Sequence, residues 1–220
     1  MTMNAREFKD KIYTELSAIS KALANPHRLE ILELLAQGAS SVEYIAGQTG
    51  LSIANASQHL QVLKNARLVK TEKKGKYNYY SLAGPKVFEV WKNLQELGFS
   101  MNAEIEKLMK DFQKSRHDLE SITAEELRKR VERGEAIALD VRPQHEYEEG
   151  HIPSAVSLPV EELQKNLEQL PRSKQIIAYC RGPLCAMADD AVELLHKEGF
   201  EVIRMDEGYP EWKAKGYPVE

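Results

Sequence analysis

Cys180 and Cys185 are the chain's only thiols, and four residues separate them. Cys180 closes the apolar run QIIAYC. The segment RGPLC follows, and a helical pattern starts at Ala186. An apolar strand, a short loop with Gly182 and Pro183, and a helix N-terminus direct backbone N–H groups onto one point. Such a point holds an anion, and it is expected to lower the Cys180 thiol below its free value of about 8.5. The thiolate is a nucleophile. A loop of Arg181, Gly182, Pro183, Leu184 and Cys185 would cradle a persulfide or an oxyanion formed on it. The bland alternative is a buried structural cysteine. A phosphatase loop shares this logic but needs an arginine six residues after the cysteine to clamp the phosphate. Ala186 stands there. Two thiols are too few for a disulfide framework. A metalloid held by both would need a third ligand from elsewhere, and no metal site is expected.

A second set of residues is suited to reading bases. In SIANASQHLQVLKNARLV, which begins at Ser52, helical spacing turns Ile53, Ala56, Leu60 and Leu63 inward. That leaves Asn55, Ser57, Gln58, His59 and Gln61 outward or on the flanks. Asparagine and glutamine match adenine edges. Lys73, Lys74 and Lys76 surround a turn at Gly75 and suit phosphates, which supply affinity without sequence information. His59 is equally a packed or solvent-facing histidine, and Tyr77, Tyr79 and Tyr80 are more readily wing core than stacking groups.

The elements that position these residues fall into two halves. Residues 7–23 place Phe8, Ile12, Leu16, Ile19 and Leu23 on one helical face, and Asn25-Pro26 breaks the pattern. Helices are predicted over residues 27–36, 42–49 and 53–66, with Ser40-Ser41 and Ser52 as caps. From Leu68 the period changes to two, which predicts a β-hairpin with a basic tip. A long helix then runs from Val87 to Phe112, bent at Gly98. The polar stretch KDFQKSRHD, residues 110–118, is the linker. In the second half, Thr123 caps a helix over 124–132. Strands are predicted at AIALDV, residues 155–158, QIIAYC and EVIRM, and helices at residues 161–170, 186–198 and 211–216. This alternation predicts a parallel α/β sheet. The domains are residues 1–114 and 115–220.

Charge divides the same way. The 220-residue chain carries a net charge of −4, but residues 1–115 sum to +4 and residues 116–220 to −8. A basic half joined to an acidic half implies two modules with different partners. No apolar run is long enough to span a membrane, and the N-terminus has no apolar core of a secretory signal. With only two cysteines, the expected compartment is the cytoplasm.

Helix, short helix, turn, second helix and basic hairpin follow the order of a winged helix-turn-helix. Residues 16–84 resemble the ArsR family of repressors, through LANPHRLEIL, SQHLQVLK and GKYNYY. The resemblance implies a homodimer held by residues 8–23 and 85–112, bound to double-stranded operator DNA and released by an inducer. Many such sensors carry a Cys-x-Cys site before the recognition helix; here SSVEYIA has none. Residues 118–220 resemble rhodanese domains, through LDVRPQHEYEEGHIPSAVSLP, YCRGPLC and MDEGYPEWKAKGYPV. That implies a sulfurtransferase-type fold with a covalent persulfide on Cys180 and no other cofactor. It also implies Asp140 and Arg142 as a strand-end ion pair, His151 as a turn-shaping residue, and a sulfane-sulfur donor with a thiol acceptor as partners. Thiosulfate-using members often carry a basic residue where Cys185 stands. At the far end of a curved loop, Cys185 could attack a Cys180 persulfide, leaving either a disulfide or a polysulfur link. The combination points to a DNA-binding repressor that senses reactive sulfur or oxidants. The alternative is a sulfurtransferase whose DNA-binding half controls its own operon.

Overall fold

The computed structural model describes residues 3–115 and 119–220, so residues 116–118 of the expected linker lie outside the described residues. The chain forms two compact units that divide after Leu94.

In the first unit, α1 (Ala5–Leu23) opens with a capping box between Asn4 and Glu7. Asn25 caps α2 (Pro26–Gln37), which places Pro26 where a helix needs no N–H. Arg28 donates to the carbonyls of Ala22 and Lys21, satisfying acceptors that α1 leaves open at its C-terminal end. Then come β1 (Ser40–Ser41), α3 (Val42–Thr49), α4 (Ile53–Asn65), β2 (Val69–Lys74) and β3 (Tyr77–Leu82). The strands form an antiparallel sheet in the order β1-β3-β2. Ile31, Leu32, Leu35, Ile45, Ala56, Leu60 and Leu63 form the core, joined by Phe88 and Trp91 of α5 (Pro85–Met101). Burial of Ala56, Leu60 and Leu63 fixes how α4 turns its other face outward. Ile53 departs from expectation: it is 53% exposed, because the first turn of α4 projects beyond the core.

The predicted long helix is two helices, α5 and α6 (Ala103–Ser115). The break falls at Asn102 and not at Gly98. The Asn102 side chain accepts from the N–H groups of Glu104 and Ile105 and starts a new helix. Residues 110–115 of the expected linker continue α6.

The second unit continues with β4 (Ser121–Ile122), α7 (Ala124–Glu132), β5 (Ala136–Asp140), α8 (Gln144–Glu149), β6 (Val156–Ser157) and α9 (Val160–Leu163). After these come β7 (Gln175–Tyr179), α10 (Met187–Lys197), β8 (Val202–Met205) and α11 (Tyr209–Ala214). The sheet is wholly parallel in the order β4-β8-β7-β5-β6. The two-residue edge strand β4 and the helix α8 had no sequence signal. The helix expected over 161–170 is instead the short α9 and a 3₁₀ turn at Leu167–Gln169. Asn166 donates its amide to the Glu162 carbonyl, a local bond that competes with helix continuation. Ile176, Ile177, Ala178 and Tyr179 of β7 are fully buried and run straight to Cys180. Among the described residues no helix is long and apolar enough to cross a membrane.

Candidate functional site

β5 and β7 are neighbours, with Asp140 opposite Tyr179, so the two strands end side by side. Parallel α/β sheets bind ligands beyond the carboxyl ends of their strands. Beyond β5 stands a fully buried ion pair. Arg142 Nη2 lies 2.5 Å from Asp140 Oδ2, and its Nε donates to both carboxylate oxygens at 2.9 and 3.1 Å. Arg142 Nη2 also donates to the Gly150 carbonyl at 2.9 Å. The Asp140 carboxylate raises the Arg142 pKa despite burial, so the guanidinium stays charged. His151 is tied into the same turn, with its Nδ1 2.9 Å from the Tyr147 carbonyl and its ring stacked on Tyr147.

Beyond β7 the loop 181–185 begins. The Cys185 N–H donates to the Gly182 carbonyl at 3.1 Å, which curls the loop back on itself. Arg181 grips Glu146 with Nη2–Oε1 at 2.6 Å and Nε–Oε1 at 3.0 Å. Glu146 is 1% exposed. The loop lies directly on Gly208: a Cβ there would come within 2.3 Å of the Arg181 carbonyl carbon. Only glycine fits at that approach. The next residue, Tyr209, donates its N–H to the Cys180 carbonyl at 3.2 Å. Glu211 accepts from the Gly208 N–H at 2.9 Å and fixes this support.

Both thiols are free; Cys180 is buried and Cys185 partly exposed. The Cys180 thiol donates to the carbonyl oxygens of Cys185 at 3.5 Å and Gly182 at 3.9 Å, and the closeness of the two thiols changes the expected distribution of acidity. The neighbouring Cys185 side chain, then burial, pushes the Cys180 thiol well above its ordinary value. Cys185 is lowered to about 7, first by the Cys180 thiol and further by the N–H groups of Arg181 and Met187 and the Arg181 charge. Backbone N–H groups do converge here, but they act on two sulfurs: those of Gly182 and Ala188 favour the Cys180 thiolate, and those of Arg181 and Met187 favour the Cys185 thiolate. The sequence reading also missed Glu146, Gly208, Tyr209 and Glu211. All four lie in the segments that carry the rhodanese resemblance, but each reaches the loop from a distant part of the chain, so spacing along the sequence does not show the contact.

In the first unit, α4 presents Ala54, Asn55, Gln58 and Gln61 to solvent, with Ser57 half-buried beside them. Gln61 is bonded to Asn65 at 2.7 Å. His59 lies on the flank, its ring 5.6 Å from that of His27. Burial, followed by the charges of Arg28 and His27, lowers its pKa. Lys73, Lys74 and Lys76 are exposed at the hairpin tip; Lys74 sits over the Tyr79 ring and Lys76 over the Tyr77 ring. Phe8, Ile12, Leu16, Val90, Leu94 and Leu97 stand exposed on α1 and α5. Among the described residues, no group of three or more histidine, cysteine or acidic side chains could hold a metal ion.

The family model of bacterial regulatory proteins of the arsR family matches residues 25–71, and that of the rhodanese-like domain matches residues 123–215. The chain is similar to the HTH-type transcriptional regulator Rv0324 of Mycobacterium tuberculosis, with 41% identity over 96% of this chain and 93% of that one. It is also similar to the thiosulfate sulfurtransferase GlpE of Coxiella burnetii, 32% identical over 38% of this chain and 78% of that protein. A solved structure, the homodimeric winged helix-turn-helix domain of a possible ArsR-family regulator of Mycobacterium bovis, is 36% identical. It covers 47% of this chain and 94% of its own, with a TM-score of 0.44.

Proposed function

The chain belongs to the arsR family of bacterial transcriptional regulators and carries a rhodanese-like domain, and from this we propose that it is an operator-binding repressor governed by reactive sulfur or oxidants at Cys180. The observation that carries the reading is the placement of the thiols. Both lie in one loop of the rhodanese-like domain, and the DNA-reading half has no cysteine. An inducer that modifies thiols must therefore act at that loop. Support for DNA binding comes from the exposed Asn55, Gln58 and Gln61 and the three lysines of the tip. The exposed apolar faces of α1 and α5 support a homodimer. Such a dimer would meet an inverted repeat with half-sites about 34–36 Å apart, or a multiple of this.

The test is operator affinity and intact mass, measured on one sample when reduced, after polysulfide, and after re-reduction. Sulfur addition at Cys180 is expected to weaken operator binding about 5–150-fold, a coupling of about 1–3 kcal/mol, and reductant to restore it. Unchanged affinity in fully modified protein refutes the sensing reading and leaves the sulfurtransferase alternative. The DNA half makes a separate prediction. Lys73→Ala or Lys74→Ala should weaken all sequences about equally and reduce the salt slope by about one each. Gln58→Ala should lose about 1–3 kcal/mol of base discrimination at one position. Salt-titrated binding to specific and scrambled duplexes checks both; a sequence-selective loss from the lysines would reverse their assigned role.

A further inference from the structure

The turn closed by the Cys185 N–H and the Gly182 carbonyl folds the end of the loop onto its start. The Cys180 thiol donates to the Cys185 carbonyl oxygen at 3.5 Å and faces the Gly182 carbonyl at 3.9 Å, which brings the two cysteines together across the loop. Arg181 of the loop is paired with Glu146, and Arg142 at the end of β5 with Asp140. A carboxylate oxygen of Glu211 stands 3.5 Å from where a Gly182 Cβ would be. The site therefore holds a second nucleophile beside the first and is poorly disposed to a small dianion such as thiosulfate.

We propose that Cys185 is the resolving thiol of this site, and that the pair takes its sulfur from hydropersulfides or polysulfides and releases it as sulfide. The proposal rests on the reading of Cys180 as the persulfide carrier. In the first step the Cys180 sulfur attacks the terminal sulfur of a donor R–S–S–H. The donor S–S bond breaks, a Cys180 Sγ–S bond forms, and the thiol R–S–H leaves. The Cys185 thiolate, as the neighbouring base, takes the Cys180 proton and passes it to the departing sulfur. Cys185 then attacks Cys180 Sγ, an S–S bond forms between the cysteines, and hydrosulfide is expelled. The transferred sulfur gains two electrons and the two cysteine sulfurs lose two, so no further oxidant enters. Cys185 suits both parts: near neutral pH it is the thiolate of the pair, held at about 7, and it is the more exposed of the two. The disulfide outlasts the donor and is reset by a thiol reductant.

The experiment mixes reduced full-length protein with glutathione hydropersulfide without oxygen and follows sulfide release and intact mass. The parent protein is expected to release one sulfide per chain beyond the blank. It should become two hydrogen atoms lighter, with both thiols lost to alkylation together and restored by dithiothreitol. Cys185→Ser and Cys185→Ala should each stop one sulfur atom heavier at Cys180, with no sulfide beyond the blank. A parent protein that holds the extra sulfur and releases none overturns the resolving role and leaves Cys180 as carrier. If no form gains or reduces sulfur, the carrier reading falls as well. Sulfide release by either Cys185 variant at the parent rate also overturns the role. Thiosulfate at the same concentration should load the protein at least tenfold more slowly; equal loading removes the assignment of donor class.

Discussion

Cys180→Ser is expected to bring sulfur transfer from a hydropersulfide to cyanide or to a thiol acceptor down to the uncatalysed rate. The serine keeps the shape of the site and the support from Tyr209, whose N–H holds the residue 180 carbonyl at 3.2 Å. What it loses is the sulfur on which a persulfide forms; a hydroxyl is also far less acidic than a thiol. Transfer by the parent protein should rise with pH through about 7. Only the form that has lost the first proton of the pair is reactive, and with Cys185 lowered to about 7 the pair loses that proton near neutral pH. A profile rising only above the free thiol value of about 8.5 would mean that the two sulfurs do not share their proton. Rates from stopped-time assays across pH, with alkylation mapped to each cysteine by mass spectrometry, check both points. Full transfer by Cys180→Ser would place the chemistry elsewhere.

The sequence made much of this site legible, for identifiable reasons. Period-two and helical patterns separate cleanly on either side of Leu68, and an apolar run that ends in cysteine, glycine and proline has few structural solutions. The inward set Ala56, Leu60 and Leu63 followed from helical spacing alone, because a helix with one buried face has one outward face. The acidity of the thiols did not follow. It depends on which sulfur is the more buried and which backbone N–H groups reach it, and residue order encodes neither. The Arg181–Glu146 pair joins positions 35 apart through a helix, α8, too short to show a period. Asn102 is of a type that favours helix starts, but the apolar spacing continues across it from Met101 to Ile105 and hides the break. Ile53 shows the converse error: its spacing is right for the core, but the core ends before the first turn of α4.

Removing the guanidinium at Arg142 should be the most damaging single change to the second unit. Both partners of the Asp140–Arg142 pair are wholly buried, and the arginine also satisfies the Gly150 carbonyl. Arg142→Met would leave the buried Asp140 carboxylate without its countercharge, holding the residue 142 N–H at 3.0 Å, and would take the guanidinium donor from the Gly150 carbonyl, at a cost of about 3–5 kcal/mol. Total stabilities are about 5–15 kcal/mol, so this is a large share. The unfolding transition of this unit should fall by roughly 10–20 °C. The loss should reach the cysteine loop by a traceable route: the Arg142 guanidinium lies 4.5 Å from the Tyr209 ring centroid, and the Tyr209 backbone holds Cys180. Replacing both partners, Asp140→Leu with Arg142→Met, removes the stranded charge and should recover much of the stability, since a well-packed apolar pair can match a buried ion pair. The double variant separates positioning from chemistry. If the pair only orders the site, stability and transfer should recover together; recovered stability with transfer still absent would make Asp140 or Arg142 a participant in the reaction itself. Calorimetric unfolding and transfer rates on the three variants, compared as a double-mutant cycle, decide between these outcomes.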